Sequence, residues 1–127
     1  MQYEYFYGAQ AEQFSFYRIP KALFTEPNFR ELSTDAKVLY GILLDRMSLS
    51  LKNQWLDAQN KVYIIFTVEE IMDALNCANQ KATRLMVELE KQAGLIERKR
   101  QGLGRPNLIY VKNFAATIND KSCEKGD

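Results

Sequence analysis

Apolar residues repeat at helical spacing after Ser33, a residue type that caps helices well. The repeating positions are Ala36, Leu39, Tyr40, Leu43 and Met47. Together they predict a first long helix over residues 34–47. Residues 13–19 alternate between polar and apolar side chains instead, which predicts an extended segment that ends at Pro20.

A β-hairpin is predicted over residues 53–67 (NQWLDAQNKVYIIFT). Its turn, DAQN, contains Asn60, a residue type that tolerates the left-handed backbone conformation found in tight turns. A strand is expected from Lys61 to Phe66, because β-branched and aromatic residues dominate this run. We expect Trp55 to pack in the core.

A short helix is predicted after this hairpin. Thr67 and Glu70 have the spacing of a capping box, which fixes the start of the helix. The apolar stripe behind it consists of Val68, Ile71, Met72 and Leu75. The stripe stops at Asn76, which is suited to a left-handed turn.

The next helix is expected to be capped by Asn79, to run to Ala93 and to end at Gly94. Cys77, in the turn before it, is expected to be a small apolar plug. The inward positions of this helix are Ala82, Leu85, Met86, Leu89 and Ala93. At about 100° per residue, the opposite face carries polar and basic side chains.

Residues 95–100 and 107–112 are predicted to form the strands of a second hairpin around QGLGRP. Two helices joined by a tight turn and followed by a hairpin are typical of a winged helix-turn-helix. We therefore predict an α+β fold, a winged helix-turn-helix with a small antiparallel sheet and a β-hairpin wing. This DNA-binding domain is expected over residues 1–114, and the polar residues 115–127 are expected to be a linker or disordered tail.

The composition disfavours several classes of function. The chain has 127 residues, no histidine and two cysteines, so neither a metal site nor a disulfide framework is indicated. We predict no catalytic residue, no metal and no cofactor, and we do not expect an enzyme. Apolar runs are far shorter than the ~20 residues of a membrane helix, and no signal peptide is visible at the start. A cytoplasmic location is expected.

Basic residues are concentrated in one part of a chain whose formal net charge is +1. Residues 76–112 contain eight lysines and arginines against three acidic residues. This asymmetry favours a surface that faces a polyanion. The alternative is a solvated basic surface, since edge strands often carry lysine and arginine against aggregation.

The outward face of the second helix carries side chains able to contact bases and phosphates. The predicted recognition residues are Gln80, Lys81, Thr83, Arg84, Val87 and Lys91, and those of the wing are Arg98, Lys99, Arg100 and Arg105. Val87 suits a thymine methyl group, or alternatively a neighbouring chain or plain exposure. Glu88 is expected on the same flank, where it would repel phosphates and limit binding to the first two turns.

Residues 14 to about 114 resemble the RepA_N family of plasmid replication initiators from low-GC Gram-positive bacteria. The resemblance is carried by FYRIPKALFTEPNFRELSTDAKVLYGILLDRMSLSLKNQW, VYIIFTVEEIMDALNCANQKATRLMVELE and GLGRPNLIYVKNF, in that order. It implies an N-terminal winged-helix domain that binds repeated sites in a plasmid origin. It also implies a C-terminal domain, absent from this chain, that contacts host replication proteins. Gln80, Lys81, Thr83 and Arg84 would then lie on the recognition helix, and the four wing arginines and lysines on the wing.

The expected function is sequence-specific binding of double-stranded DNA at origin repeats, which initiates plasmid replication. A winged helix used as a protein-interaction module is one alternative, and a transcriptional regulator with the same fold is another. A homodimer is expected, because small DNA-binding modules commonly double their phosphate contacts in this way. The aromatic residues 17–32 would form the dimer surface or wrap the core.

Overall fold

Helices come first and a two-stranded sheet last in the computed structural model, which describes residues 2–8 and 14–114. The helices are α1 (Ala22–Thr25), α2 (Thr34–Lys52), α3 (Val68–Leu75) and α4 (Asn79–Val87), with a 3-10 turn at Pro27–Phe29 and a π-helical turn at Glu88–Gln92. The strands are β1 (Ile96–Lys99) and β2 (Leu108–Val111). The predicted tail, 115–127, lies outside the described residues.

The long helix α2 starts where the sequence predicts and ends later. The Ser33 hydroxyl accepts a hydrogen bond from the Ala36 amide at 3.2 Å, so the predicted cap is confirmed. The predicted end at residue 47 is wrong, because the helix continues to Lys52. The apolar stripe breaks at Ser48, but this hydroxyl bonds back to the Leu44 carbonyl at 3.4 Å and stays within the helix.

The chain before α1 crosses α2 at Gly41. A Cβ atom at this position would lie 2.9 Å from Ile19 Cγ1 and 3.0 Å from the Arg18 carbonyl oxygen, so only glycine fits without movement. Residues 15–20 carry no helix or strand, in keeping with the predicted extended segment. This crossing brings the N-terminal part of the chain onto the central helix.

The predicted hairpin over 53–67 retains one isolated bridge of its own, and a second bridge joins it to β2. Leu56 pairs with Val62, and Ile64 pairs with Ile109 of β2 through two hydrogen bonds of 2.9 Å. The predicted strand 61–66 is therefore wrong as a regular element, because its residues divide their pairing between two partners. Asn60 does adopt the expected left-handed conformation, with φ 66°.

Trp55 does not belong to the core, contrary to expectation. It is half-buried and stacks on Tyr63, with ring centroids 6.3 Å apart and planes 12° apart. Tyr63 in turn packs edge-on against Tyr110 of β2. The tryptophan thus belongs to a row of aromatic side chains on the sheet.

Side chains from all of the helices and both strands form one hydrophobic core. Leu23, Leu39, Leu43, Ile64, Ile71 and Leu89 are fully buried there, as are the inward positions Ala82 and Leu85 of α4. Val68, Met72, Leu75 and Cys77 are partly buried against this core. The predicted apolar faces of α3 and α4 are confirmed, with Ala93 only partly buried.

The helix that begins at Asn79 does not stay α-helical to Ala93, as the sequence predicted. It changes to a π-helical turn at Glu88–Gln92, where the Ala93 amide bonds to the Glu88 carbonyl at 3.0 Å. Gly94, with φ 66°, ends it as expected. The extra residue in this turn changes the direction of the side chains that follow.

The two strands pair as an antiparallel hairpin within the predicted strand ranges, with Ile96 opposite Val111 and Lys99 opposite Leu108. The α3–turn–α4 unit followed by this hairpin is a winged helix-turn-helix. The predicted α+β fold class is confirmed.

Candidate nucleic-acid interface

Local signals in the sequence fix the helix-turn-helix. Thr67 and Glu70 form the complete capping box of α3, and Asn76 ends that helix in the left-handed conformation with φ 53°. Asn79 is not the cap of α4, contrary to prediction. The cap position is Ala78, whose side chain makes no capping hydrogen bond, and Asn79 is already the first helical residue.

The outward face of α4 is exposed to solvent. The exposed positions of α4 are Gln80, Thr83, Arg84 and Val87, and Lys91 is exposed on the π-helical turn that follows. Val87, although apolar, is 38% exposed, so no other residue in the described chain covers it fully. The opposite face, with Leu85 and Met86, is buried. Five of the six predicted recognition residues are therefore exposed, four of them on α4.

One flank of α4 is attached to the start of α2. The sixth recognition residue, Lys81, forms an ion pair with Asp35 at 2.6 Å and is 42% exposed. Glu88 lies on the same flank, where its two carboxylate oxygens accept hydrogen bonds from the Ser33 amide at 2.9 Å and the Ser33 hydroxyl at 3.0 Å. The N-terminal end of α2 covers this flank.

The expectation that Glu88 repels phosphates on the DNA-facing surface is wrong. This residue is 8% exposed and belongs to the contact with α2. A helical wheel shows the direction in which a side chain points from its own helix. It does not show which other part of the fold lies in that direction. The outward face consequently carries no carboxylate from Glu88.

The other flank of α4 is attached to the wing through Glu90. Its Oε1 accepts hydrogen bonds from Nε and Nη2 of Arg98 at 2.9 and 2.7 Å, and its Oε2 accepts one from the Arg98 backbone amide at 3.2 Å. Partial burial acts to raise the pKa of the Glu90 carboxyl, but the bonds and charge of Arg98 outweigh it and lower this pKa below its usual range. Glu90 is therefore ionised at neutral pH.

The tip of the wing carries the remaining basic residues. Arg100 and Arg105 are exposed, as is Lys99 on the sheet face opposite to Arg98. The tip turns through Gly102 and Gly104, both with positive φ, and the Gln101 side chain donates to the Pro106 carbonyl at 2.8 Å. Glycine adopts these positive φ angles without strain, whereas residues with a Cβ atom adopt them only at a cost in free energy.

The sheet face away from α4 is attached to the turn that starts at Asp57. This carboxylate accepts hydrogen bonds from the backbone amides of Lys61 and Gln59, and from the Tyr110 hydroxyl at 3.0 Å. The bond from Lys61 is the main cause that lowers the pKa of Asp57. Partial burial and the bond to Asp57 raise the pKa of Tyr110.

Sequence reasoning missed the acidic partners Asp35, Glu90 and Asp57. The signal for Glu90 was weak, because eight residues and the turn at Gly94 separate it from Arg98. Asp35 was interpreted only as an acidic residue in the first turn of a helix. Each acquires its role from a contact with another element of the fold.

Neither a metal-binding cluster nor a membrane-spanning helix is present among the described residues. Within residues 2–8 and 14–114, no group of three histidine, cysteine, aspartate or glutamate side chains is placed to hold a metal ion. No helix in this part of the chain has the length and hydropathy needed to cross a bilayer.

Most of this chain is similar in sequence to a known protein. A protein from Lactobacillus helveticus, described as a 41 kDa protein, is 32% identical over 103 residues. The match covers 81% of this chain but 28% of the relative, so the chain spans less than a third of the relative's length.

Three solved structures have the same fold as this chain, and each is identical to it at more than a third of the aligned positions. The first, "N-Terminal domain of DNA binding protein", has a TM-score of 0.72 at 35% identity and covers 95% of this chain and 96% of its own. The second, "Structure of Rep-DNA complex", has a TM-score of 0.72 at 35% identity, with 94% and 95% covered. The third, "Structure of MDR initiator", has a TM-score of 0.68 at 38% identity, with 94% and 98% covered.

The family match extends over most of the chain. Residues 15–125 match the family described as the N-terminus of replication initiator protein A (RepA). The resemblance seen in the sequence is confirmed, and this chain belongs to the family of RepA replication initiator N-termini.

Proposed function

We propose that this chain binds double-stranded DNA sequence-specifically at repeated sites in a plasmid replication origin, and that this binding initiates plasmid replication. The observation that carries the proposal is the exposed polar and basic face of α4. The start of α2 is attached on one side of this face and the wing on the other, and the wing tip is basic. Family membership and the similarity to a Rep protein in complex with DNA support it.

The recognition helix supplies the contacts to bases. Gln80 suits adenine, Arg84 suits guanine, and the methyl groups of Thr83 and Val87 suit thymine. Lys91 lies near the end of the same exposed face and contacts phosphate. Lys81 is paired with Asp35, but its ammonium group is partly exposed at the edge of the helix. It contacts phosphate from there while the ion pair is kept.

The wing supplies contacts to the backbone. Arg100 and Arg105 at the tip, with Lys99 beside them, bind phosphates next to the groove that α4 enters. Arg105 adjoins Gly104 and Pro106, a place suited to a narrow minor groove. Arg98, the fourth predicted wing residue, binds phosphate only if it leaves Glu90.

Selection of duplexes from a random pool, followed by salt titration of the selected site, tests this function. If about six phosphates are neutralised, the logarithm of the affinity falls with the logarithm of the salt concentration at a slope near −5. A recovered motif that matches repeats in the origin of the parent plasmid supports initiation. Binding that does not respond to salt, or selection that yields no motif, contradicts the proposal.

The same selection separates origin binding from transcriptional regulation, which uses the same residue chemistry. Recovery of a promoter sequence instead of origin repeats favours a regulator. A protein-interaction module is the second candidate function, and exposed aromatic side chains near the N-terminus favour it. These side chains are Tyr3, Tyr5, Phe6, Tyr7, Phe14 and Phe16. An apolar protein contact of this kind is insensitive to salt.

The proposed partners besides DNA are a second copy of the chain and host replication proteins. Within residues 17–32, Leu23, Phe29 and Leu32 wrap the core, whereas Tyr17 and Phe24 remain about half exposed and available to a second copy. Sedimentation analysis of the free chain and of its DNA complex tests the homodimer. Contacts with host replication proteins belong to the part of the whole initiator beyond this chain, and the proposed location is the cytoplasm.

A further inference from the structure

The ion pair between Glu90 and Arg98 is the least exposed of the ion pairs in the described part of the chain. The Arg98 and Glu90 side chains are 26% and 16% exposed, whereas both partners of the Lys81–Asp35 pair are above 40%. Two of the three hydrogen bonds come from the guanidinium and the third from the Arg98 amide. Arg98 is thus held by its side chain and by its backbone.

Release of Arg98 from this pair is costly to the free protein. A guanidinium that turns to a phosphate leaves the partly buried Glu90 carboxylate without its partner, and a charge left unpaired in such a place is unfavourable. Lys99, Arg100 and Arg105 face no such cost, because no ion pair in the described structure holds them. Arg98 therefore differs from the other wing cations in its availability to DNA.

Arg98 nevertheless lies next to the surface assigned to DNA. It lines a cavity of about 260 Å³ together with Arg105 and Pro106 of the wing and with Thr67 and Val68 at the start of α3. A guanidinium freed from Glu90 therefore lies on the same side of the wing as Arg105. The position of the Arg98 guanidinium suits phosphate binding, and the ion pair with Glu90 is what prevents this binding in the free protein.

We propose that Glu90 limits the affinity of this domain for every duplex by withholding the Arg98 guanidinium from DNA phosphates. The inference rests on the proposed function of α4 and the wing. A cation that binds phosphate stabilises every duplex alike, because phosphate contacts carry no sequence information. By keeping Arg98 occupied, Glu90 lowers the affinities for the preferred and for unrelated duplexes by similar factors.

The test replaces Glu90 by glutamine, which keeps the side-chain length and removes the charge. We expect Glu90→Gln to bind a random-sequence duplex several times more tightly than the wild type, with a salt slope steeper by about 0.9 for one added phosphate contact. This extra affinity shrinks by about 3.5-fold as salt rises from about 50 to 200 mM. The ratio between the affinities for the preferred and the random duplex stays nearly the same, because the added contact is to phosphate.

Two matched variants show whether Arg98 carries the effect. Glu97→Gln removes the same charge one residue before Arg98, from an exposed strand position, and measures the general effect of added positive charge. The double variant Glu90→Gln with Arg98→Gln is expected to lose the gain. In the wild-type background, Arg98→Gln leaves the salt slope nearly unchanged, whereas Arg100→Gln lowers it by about one.

The sign of the change separates this role from a merely structural one. If Glu90 only supports the wing, Glu90→Gln weakens binding to both duplexes, and that result overturns the inference. An increase no larger than that of Glu97→Gln overturns it too. If the wild-type chain shows no salt-dependent duplex binding, the proposed function itself fails, and the inference falls with it. Circular dichroism of each variant verifies that it is folded.

Discussion

Glu88 and Glu90 have opposite surroundings although a single residue separates them. Glu88 accepts two hydrogen bonds from Ser33 at the start of α2, and Glu90 accepts three from Arg98 in β1. Residues two positions apart on a helix point in directions about 160° apart, so two neighbours are contacted from one turn. Each carboxylate attaches the recognition helix to a different part of the fold.

Replacement of Glu88 tests its structural role. Glu88→Ala leaves the Ser33 amide and hydroxyl without their acceptor in a partly buried place, which costs about 1 to 3 kcal/mol of the free energy of unfolding. Urea or thermal unfolding measures the loss. Glu97→Ala, at an exposed position, is the control and changes stability by about 0.5 kcal/mol or less.

The same variant checks the corrected position of Glu88 relative to DNA. If Glu88 faced the phosphates, its removal would tighten binding to every duplex. Because the structure places it against α2, we expect Glu88→Ala to bind DNA with the wild-type affinity at temperatures where it remains folded. A tighter complex would show that the side chain faces the DNA after all.

At the scale of elements, the start of α4 can be tested with two substitutions. Ala78→Ser places a hydroxyl at the cap position, where it accepts a hydrogen bond from a free amide, and is expected to stabilise the fold by about 1 kcal/mol. Asn79→Ala is expected to change stability little, since Asn79 is the first helical residue and does not cap. Thermal unfolding of both variants distinguishes the two positions. A loss of about 1 kcal/mol in Asn79→Ala, with no gain in Ala78→Ser, would place the cap at Asn79 instead.

The separate roles of recognition helix and wing give a second prediction at this scale. Arg84→Ala is expected to cost about 1 to 3 kcal/mol on the preferred site and little on random DNA, so specificity is lost. Arg100→Ala is expected to weaken both duplexes by similar factors and to reduce the salt slope by about one. Fluorescence anisotropy titrations against both duplexes provide the comparison. If Arg84→Ala weakens both equally, α4 does not read the sequence.

The elements that the sequence predicted well are those with local signals. The capping box at Thr67, the left-handed Asn76 and the terminating Gly94 each act within a few residues, and all three are confirmed. The strand at 61–66 failed because its pairing depends on β2, more than forty residues later. Glu88 was misplaced for a similar reason, since the start of α2 that covers it is remote in sequence.

For the candidate site, as for the helices and strands, the sequence predicted the features that depend on local patterns and missed those that depend on other elements. Composition and periodicity placed Gln80, Thr83, Arg84 and Lys91 on one face, and the structure leaves that face exposed. They could not show that Lys81 and Arg98 have acidic partners, because those partners come from α2 and from the π-helical turn. A count of charges therefore overstates how many cations the domain offers to DNA.

At the scale of the whole molecule, α2 is the element to which α3, α4 and the wing are attached. Its start holds α4 through Asp35 and Ser33, and Arg46 near its other end bonds to Glu70 of α3 at 3.0 Å. Tyr40, at its middle, donates a hydrogen bond to the Lys112 carbonyl just after β2 at 2.9 Å. Helices and wing are thus held in a common frame by contacts to one helix.

The contact made by Tyr40 gives stability a defined dependence on alkaline pH. Burial raises the pKa of Tyr40 to about 12, whereas a tyrosine in an unfolded chain titrates near 10. Because the folded-state pKa is the higher one, the contribution is complete below about pH 10 and is lost as the pH rises from about 10 to 12. The full loss amounts to about 2 to 3 kcal/mol.

The variant Tyr40→Phe isolates this contribution from the lysines and other tyrosines that titrate in the same range. At neutral pH it loses the hydrogen bond to Lys112, at a cost of about 1 kcal/mol. Between about pH 10 and 12 its stability falls less steeply than that of the wild type, since the phenylalanine has no proton to lose. Tyr17→Phe, at an exposed position, is the control for the removal of a hydroxyl group. Urea unfolding at a series of pH values measures the difference, and parallel curves for wild type and Tyr40→Phe would show that burial of Tyr40 does not stabilise its protonated form.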